Sequence, residues 1–183
     1  MPITLITGVM GSGKTEKLIE IYNKKVKLKK ECLVIKNKLD TRHKEISSRN
    51  GTTIAYDLII EPENSLSIEY FVRTKGYFDC IFIDECQFYR DDLFDILDNM
   101  NRNKNLEIFV SGLLYDSNHR FFEVTRKIQN IASNILENYI FCRACGENQA
   151  THVKKMVIGD DIILIGDDIY KSVCKGCYEN III

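Results

Sequence analysis

The sequence predicts an α/β fold built on a mainly parallel sheet, with a small metal-stapled lobe at its C-terminus. Three observations carry that prediction. A glycine-rich loop sits between an apolar run and a helical pattern near the N-terminus; short β-branched runs alternate with amphipathic stretches through the middle; and two C-x-x-C pairs close the chain.

Residues 3–7 are short and apolar, and read as a buried strand. The glycine loop follows, and then residues 16–30, where Leu18, Ile19, Tyr22 and Val26 recur at helical spacing. Runs at 32–36, 80–84 and 106–111 are β-branched or aromatic and read as further strands, with residues 91–100 an amphipathic helix among them. Residues 37–51 are polar without periodicity, which predicts a mobile loop. From about Tyr139 the character changes. Cysteine pairs enclose two strand-like runs, 151–157 and 162–165, separated by the turn formers Gly159, Asp160 and Asp161. The expected division is a nucleotide-binding part, 1–138, and a metal-binding lobe, 139–183, ending in the apolar tail 181–183. No Pro-rich linker separates them, for the chain has 2 prolines.

A chain of 183 residues with 45% hydrophobic content can bury a continuous core. Its net charge of -1 offers no broad basic field for nucleic-acid phosphates, so a small-molecule partner is expected and nucleic acid is not. No apolar run approaches the roughly 20 residues of a membrane span, and the start lacks the charged and apolar regions of a signal peptide. The expected location is the cytoplasm, where the 7 cysteines would be reduced thiols rather than a disulfide framework.

Gly8, Val9, Met10, Gly11, Ser12, Gly13, Lys14 and Thr15 match G-x-x-x-x-G-K-[ST]. The match lies where the chemistry requires it, after a buried strand and at a helix start. Glycines let successive backbone N–H groups turn inward around phosphate oxygens, and the helix N-terminus adds partial positive charge. The expected ligand is ATP, with Lys14 on the outer phosphates and the Thr15 hydroxyl on Mg²⁺. The fold is then a sheet of the P-loop NTPase type.

The run 80–83 ends in Asp84 and Glu85, the form of a strand that delivers acids to the sheet's carboxyl edge, where the phosphate loop also lies. Neighbours on a strand point to opposite sides, so the two acids should have different tasks. Asp84 is expected to serve Mg²⁺, directly or through water, and Glu85 to act as general base toward an attacking hydroxyl or water.

Cys142 with Cys145 and Cys174 with Cys177 form two C-x-x-C knuckles able to present four thiolates to one Zn²⁺. Four thiolates leave no open position, so the zinc would be structural, stapling a zinc-ribbon-like lobe too small for its own core. A redox dithiol is the rival reading. One pair would suffice for it, and neither motif is expected to open a helix after a strand. Cys32, Cys80 and Cys86 read as ordinary buried or loop thiols.

The order of these parts resembles the type II thymidine kinases along nearly the whole chain. The resemblance rests on the phosphate loop, Cys32 to Lys36, Asp40-Thr41-Arg42, Ile83-Asp84-Glu85-Cys86-Gln87-Phe88 and both knuckles. It implies that Gly8 to Thr15 hold ATP phosphates, that Asp40 and Arg42 lie near the phosphate-transfer region, that Asp84 to Gln87 sit beside the γ-phosphate, and that Glu85 is the base. It further implies that the segment between the knuckles folds over the nucleoside. Here that segment is Ile162, Ile163, Leu164, Ile165 and Gly166, with Tyr170 near the sugar. A homotetramer and feedback inhibition by the end-product triphosphate are implied in the same way.

The sequence departs from the family pattern at two places. Cys86 stands where a small glycine usually follows the acid pair. In 112–117, Leu114 and Ser117 stand where the family carries an aspartate and a phenylalanine that packs on the base. Either Tyr115, Phe121 or Phe122 replaces that platform at the substrate site beside Ser117, or base preference has drifted. The activity expected is phosphorylation of the 5′-hydroxyl of thymidine or deoxyuridine. The alternatives are a P-loop ATPase whose zinc ribbon grips nucleic acid, and a divergent kinase or regulatory nucleotide-binding module.

Overall fold

Residues alternate in the apolar runs between two sides of a sheet, and each side acquires its own core. The computed structural model describes residues 2–40, 45–102, 106–156 and 169–180. Six strands form the main sheet: β1 (Ile3–Gly8), β2 (Cys32–Asn37), β5 (Leu58–Ile60), β6 (Cys80–Ile83), β7 (Glu107–Ser111) and β8 (Asn134–Asn138). Their order is β5-β2-β6-β7-β1-β8, with every neighbouring pair parallel. The mainly parallel α/β sheet is thus as expected.

On one side Ile3, Leu5, Leu33, Ile35, Ile81, Ile83, Ile108 and Val110 pack against α2 (Leu66–Lys75), α3 (Asp92–Asn101) and α4 (Glu123–Ile131), through Ile68, Leu93, Leu97, Val124 and Ile128. On the other, Ile6, Val34, Phe82 and Phe109 pack against Leu18 and Ile19 of α1 (Lys14–Lys27). Phe82 is fully buried here, edge-on to Tyr22 at 5.5 Å and stacked on Phe109 at 4.9 Å. Phe82→Ala should cost ~3–5 kcal/mol through lost transfer energy and a residual cavity. In urea unfolding this would show as a lower midpoint with an unchanged slope.

The helix expected over 16–30 runs instead over Lys14–Lys27, because its first turn is the end of the phosphate loop and Lys29 adopts a left-handed φ of 56° that stops it. The loop expected over 37–51 is in part a hairpin. Here β3 (Ile46–Ser47) pairs antiparallel with β4 (Thr53–Ile54), and Ile46 and Ile54 join the α1-side core. Residues 41–44, Arg42 included, lie outside the described residues. The edge strands β5 and β8 and the helices α2 and α4 have no counterpart among the expected elements. In β8 the segment Asn-Ile-Leu-Glu-Asn carries no apolar run, since an edge strand is half exposed.

In the C-terminal lobe β9 (His152–Lys155) pairs antiparallel with β10 (Tyr170–Val173), followed by α5 (Lys175–Asn180). The strand expected at 162–165 lies outside the described residues. No helix among the described residues is long and apolar enough to cross a membrane.

Candidate active site

The carboxyl ends of β6, β7 and β1 are side by side, and the polar residues of the apolar strands gather there. After β1 the chain turns through Gly8, Gly11 and Gly13 with φ of 140°, 74° and 80°. A Cβ on Gly8 would lie 2.3 Å from the Asn138 carbonyl oxygen, so β8 itself requires glycine at that position. The Asn138 side chain then donates to the Ser12 carbonyl at 3.1 Å, tying loop to edge strand. Lys14 is buried, with Nζ donating to the Val9 carbonyl at 3.0 Å across the loop. Ser12 Oγ is buried without a hydrogen-bond partner among the described residues. A buried, unpartnered hydroxyl in a glycine loop before a helix N-terminus fits a phosphate oxygen.

Asp84 links three segments of the sheet edge. One oxygen accepts from Ser111 Oγ at the end of β7 and from the Glu85 amide at 3.0 Å; the other accepts from Thr15 Oγ1 at 3.0 Å. Burial, followed by the charge of Glu85 and, least, that of Asp40, pushes its carboxyl up to about 6 despite the two hydroxyl hydrogen bonds. Asp40 is therefore close enough for its charge to act on Asp84. A buried acid with a hydroxyl beside it and two carboxylates nearby is a donor set suited to Mg²⁺.

Asp84 and Glu85 are separated by a route other than strand alternation. β6 stops at Ile83, and Glu85 adopts a left-handed φ of 53° before a 3-10 turn at Cys86–Phe88. That conformation is costly for a residue with a side chain. Gln87 holds the carboxylate, with Nε2 donating to Glu85 Oε2 at 2.5 Å while Oε1 accepts from the Leu113 amide at 3.0 Å. The Leu113 N–H requires oxygen on its side, which fixes the amide's NH₂ toward Glu85. Cys86 is accommodated: its buried Sγ lies 3.4 Å from Thr125 Oγ1, opposite Gly112, where a Cβ would come within 2.4 Å of the sulfur.

Cys142, Cys145, Cys174 and Cys177 place their sulfurs within 4.8 Å of one another. A tetrahedral site with Zn–S of about 2.3 Å needs sulfurs roughly 3.8 Å apart, and Cys145 Sγ to Cys174 Sγ is 4.0 Å. Burial opposes ionisation of Cys142, but the amides of Cys145, Cys174 and Ala144 outweigh it and bring the thiol down to about 6; hydrogen bonding to Cys174 pushes Cys177 up to about 12. Four sulfurs this close form a donor set that suits one tetrahedral cation, which would draw all four into the thiolate form. One sequence expectation is corrected here. Cys174 does follow strand β10, and helix α5 opens at Lys175. The redox reading therefore loses on the convergence of four sulfurs, not on the absence of a helix.

With this geometry in view, similarity to known proteins becomes decisive. The family model described as "Thymidine kinase" matches residues 1–178. The chain belongs to the thymidine kinase family. Three relatives, each called "Thymidine kinase", come from Amsacta moorei entomopoxvirus, Pseudothermotoga lettingae and Choristoneura fumiferana entomopoxvirus. They are 31%, 31% and 34% identical, each over 98% of this chain and over 99%, 95% and 97% of their own lengths.

This member of the thymidine kinase family joins its lobe to the loop after β7 through an aromatic column. Phe121, Tyr115, His119, His152 and Tyr178 follow one another with ring centroids 4.5, 4.3, 4.0 and 4.7 Å apart. Tyr178 Oη also donates to the Ser117 carbonyl at 2.8 Å. The loop 112–122 is held in shape by Asp116, whose Oδ1 accepts from the amides of Asn118 and Arg120 at 2.9 and 2.8 Å. Ser117 thus meets the lobe through its backbone, and Tyr115 stacks inside the column. Tyr170 opens β10 opposite Lys155. Ile162, Ile163, Leu164, Ile165 and Gly166 lie outside the described residues. Sequence reading missed Asn138, Ser111 and the column. For Ser111 there was a signal, a polar residue ending an apolar strand; for Asn138 there was none.

Proposed function

We propose that this protein transfers the γ-phosphoryl group of ATP to the 5′-hydroxyl of thymidine or deoxyuridine, giving ADP and the nucleoside monophosphate. Within a family of this name, the observation that carries the proposal is the half-buried Glu85 carboxylate, oriented by Gln87 beside a complete phosphate loop. Gly8, Val9, Met10, Gly11, Ser12 and Gly13 receive the phosphates with Lys14. Thr15 and Asp84 hold Mg²⁺, which when bound neutralises charge on the phosphates. The family resemblance assigns Asp40, Arg42 and Gln87 to the phosphate-transfer step. Glu85 accepts the hydroxyl proton as the new O–P bond forms, and the bond to the ADP oxygen breaks. The family resemblance assigns nucleoside recognition to Ser117, Ile162 to Gly166 and Tyr170.

The four cysteines hold a structural zinc in a lobe comprising residues 139–183, on the body 1–138. Cys145→Ser should lower zinc from about one equivalent to well below it and loosen the lobe, because structural zinc supplies folding energy. Metal analysis together with limited proteolysis between 139 and 183 checks this; full zinc in the variant would contradict it. By resemblance the enzyme is a cytoplasmic homotetramer serving nucleotide salvage, and a solution mass measurement tests the assembly.

The activity is tested by supplying Mg·ATP with each nucleoside separately and measuring monophosphate. Turnover of thymidine and deoxyuridine is expected. ATP hydrolysis stimulated by DNA or RNA, with no nucleoside phosphorylated, would replace this reading by the nucleic-acid ATPase.

A further inference from the structure

Two arginines from separate segments meet over the phosphate loop. A Cβ built on Gly11 would lie 2.7 Å from Arg49 Nη1 and 3.1 Å from Arg143 Nη2. Arg49 lies in the turn between β3 and β4, which is tied to α1 by Asn50 Nδ2 donating to Glu16 Oε1 at 2.6 Å. Arg143 lies between Cys142 and Cys145 inside the first knuckle. Its backbone is fixed to the loop by two hydrogen bonds in series. The Arg143 amide donates to the Ser172 carbonyl at 2.9 Å, and the buried Ser172 Oγ donates to the Met10 carbonyl at 2.5 Å.

We infer that Arg143, with Arg49 opposite, clamps the outer phosphates of the donor triphosphate, so that the four-cysteine lobe takes part in donor binding. The inference rests on the kinase reading above for the identity of the donor. An anion between two guanidinium groups is attracted by both. Guanidinium groups suit the task because their planar donor pairs match phosphate oxygens. Gly11 has no Cβ, which leaves both arginine tips room against the loop. The knuckle turn supplies rigidity: Cys142 Sγ accepts from the amides of Ala144 and Cys145 at 3.4 and 3.5 Å, which fixes the backbone on either side of Arg143.

The test is direct binding of Mg·ATP and Mg·ADP to wild type, Arg143→Gln, Arg143→Lys and Arg49→Gln, with zinc measured in each. Charge-assisted hydrogen bonds at a partly exposed site predict about a tenfold weaker ATP affinity in Arg143→Gln. The loss should be smaller for ADP, partial in Arg143→Lys, and repeated in Arg49→Gln, whose position is remote from the zinc ligands. The KM for thymidine should be unchanged while that for ATP rises. ATP affinity within twofold of wild type in zinc-replete Arg143→Gln, or equal losses for ATP and ADP, would overturn the clamp. Should Arg143→Gln lose zinc, zinc-replete Arg143→Lys and Arg49→Gln decide, and undiminished ATP affinity in both overturns it. Because ATP binding is read without turnover, a wild type that binds ATP but phosphorylates no nucleoside would defeat the proposed activity and leave the clamp standing. A wild type that binds no ATP would defeat both.

Discussion

Glu85→Gln should lower kcat for thymidine by about 10²–10⁴-fold, the usual contribution of a positioned general base, while leaving ATP affinity and melting temperature near wild type. The amide keeps the shape of the side chain and can still hydrogen bond with Gln87, which donates to Glu85 at 2.5 Å. It also keeps the left-handed φ of 53° and whatever that conformation costs. What is removed is proton acceptance, together with the charge that helps to raise Asp84. Single-turnover phosphoryl transfer, compared with binding of Mg·ATP, separates this loss from a folding or affinity defect. A variant that transfers phosphate within about tenfold of wild type would remove Glu85 from the role of base.

Asp84→Asn is expected to make the protein more stable and nearly inactive. In the folded chain the Asp84 carboxyl is raised to about 6, from an ordinary 3.8, first by burial and then by Glu85. A raised carboxyl pKa means that the folded state prefers the protonated acid. Its contribution to stability is fully present below about 3.8 and is lost as pH rises through about 6. At pH 8 the folded protein therefore carries a buried charge at a penalty of up to about 3 kcal/mol in the absence of a divalent cation. A neutral amide avoids that penalty. Thermal unfolding in the absence of Mg²⁺ should show the variant several degrees above wild type at pH 8, with the gap narrowing below pH 6. Mg²⁺ should stabilise wild type and not the variant, and phosphoryl transfer should fall with the lost carboxylate. A variant less stable than wild type at pH 8 would contradict this account of the site.

The instability that Asp84→Asn would relieve is at the place the sequence marked most clearly. The phosphate loop, Asp84, Glu85 and the two knuckles were legible because each is a fixed local spacing whose chemistry permits few other residues. Strands β1, β2, β6 and β7 were legible for a different reason. They are buried on both faces, so they appear as unbroken apolar runs. The same physics hid β8: it is an edge strand with Ile135 exposed, and its polar residues look like loop. Yet β8 supplies Asn138, whose carbonyl makes glycine obligatory at position 8.

Residues brought together from distant parts of the chain left no local trace. Ser111 and Thr15 both bond Asp84, and Arg49 and Arg143 both reach Gly11, across separations that no spacing rule spans. The column from Phe121 to Tyr178 is of the same kind. Its members are ordinary aromatics in sequence, and only the docking of β9 and α5 on the 112–122 loop aligns them. Tyr115 is a candidate base platform on sequence grounds, and its stacking on His119 at 4.3 Å gives it a second occupation. Cys86 shows how a departure from a family pattern is absorbed. Its sulfur fills space that Gly112 leaves open and finds a partner in Thr125.

The central claim is that the phosphoryl group passes to a nucleoside hydroxyl through a site built on Glu85. The most direct measurement follows terminally labelled Mg·ATP mixed with thymidine and excess enzyme, reading label in thymidine 5′-monophosphate and in free phosphate. The account predicts label in the monophosphate, dependent on thymidine, and lost in Glu85→Gln. Label released as free phosphate at the same rate with and without thymidine would contradict it.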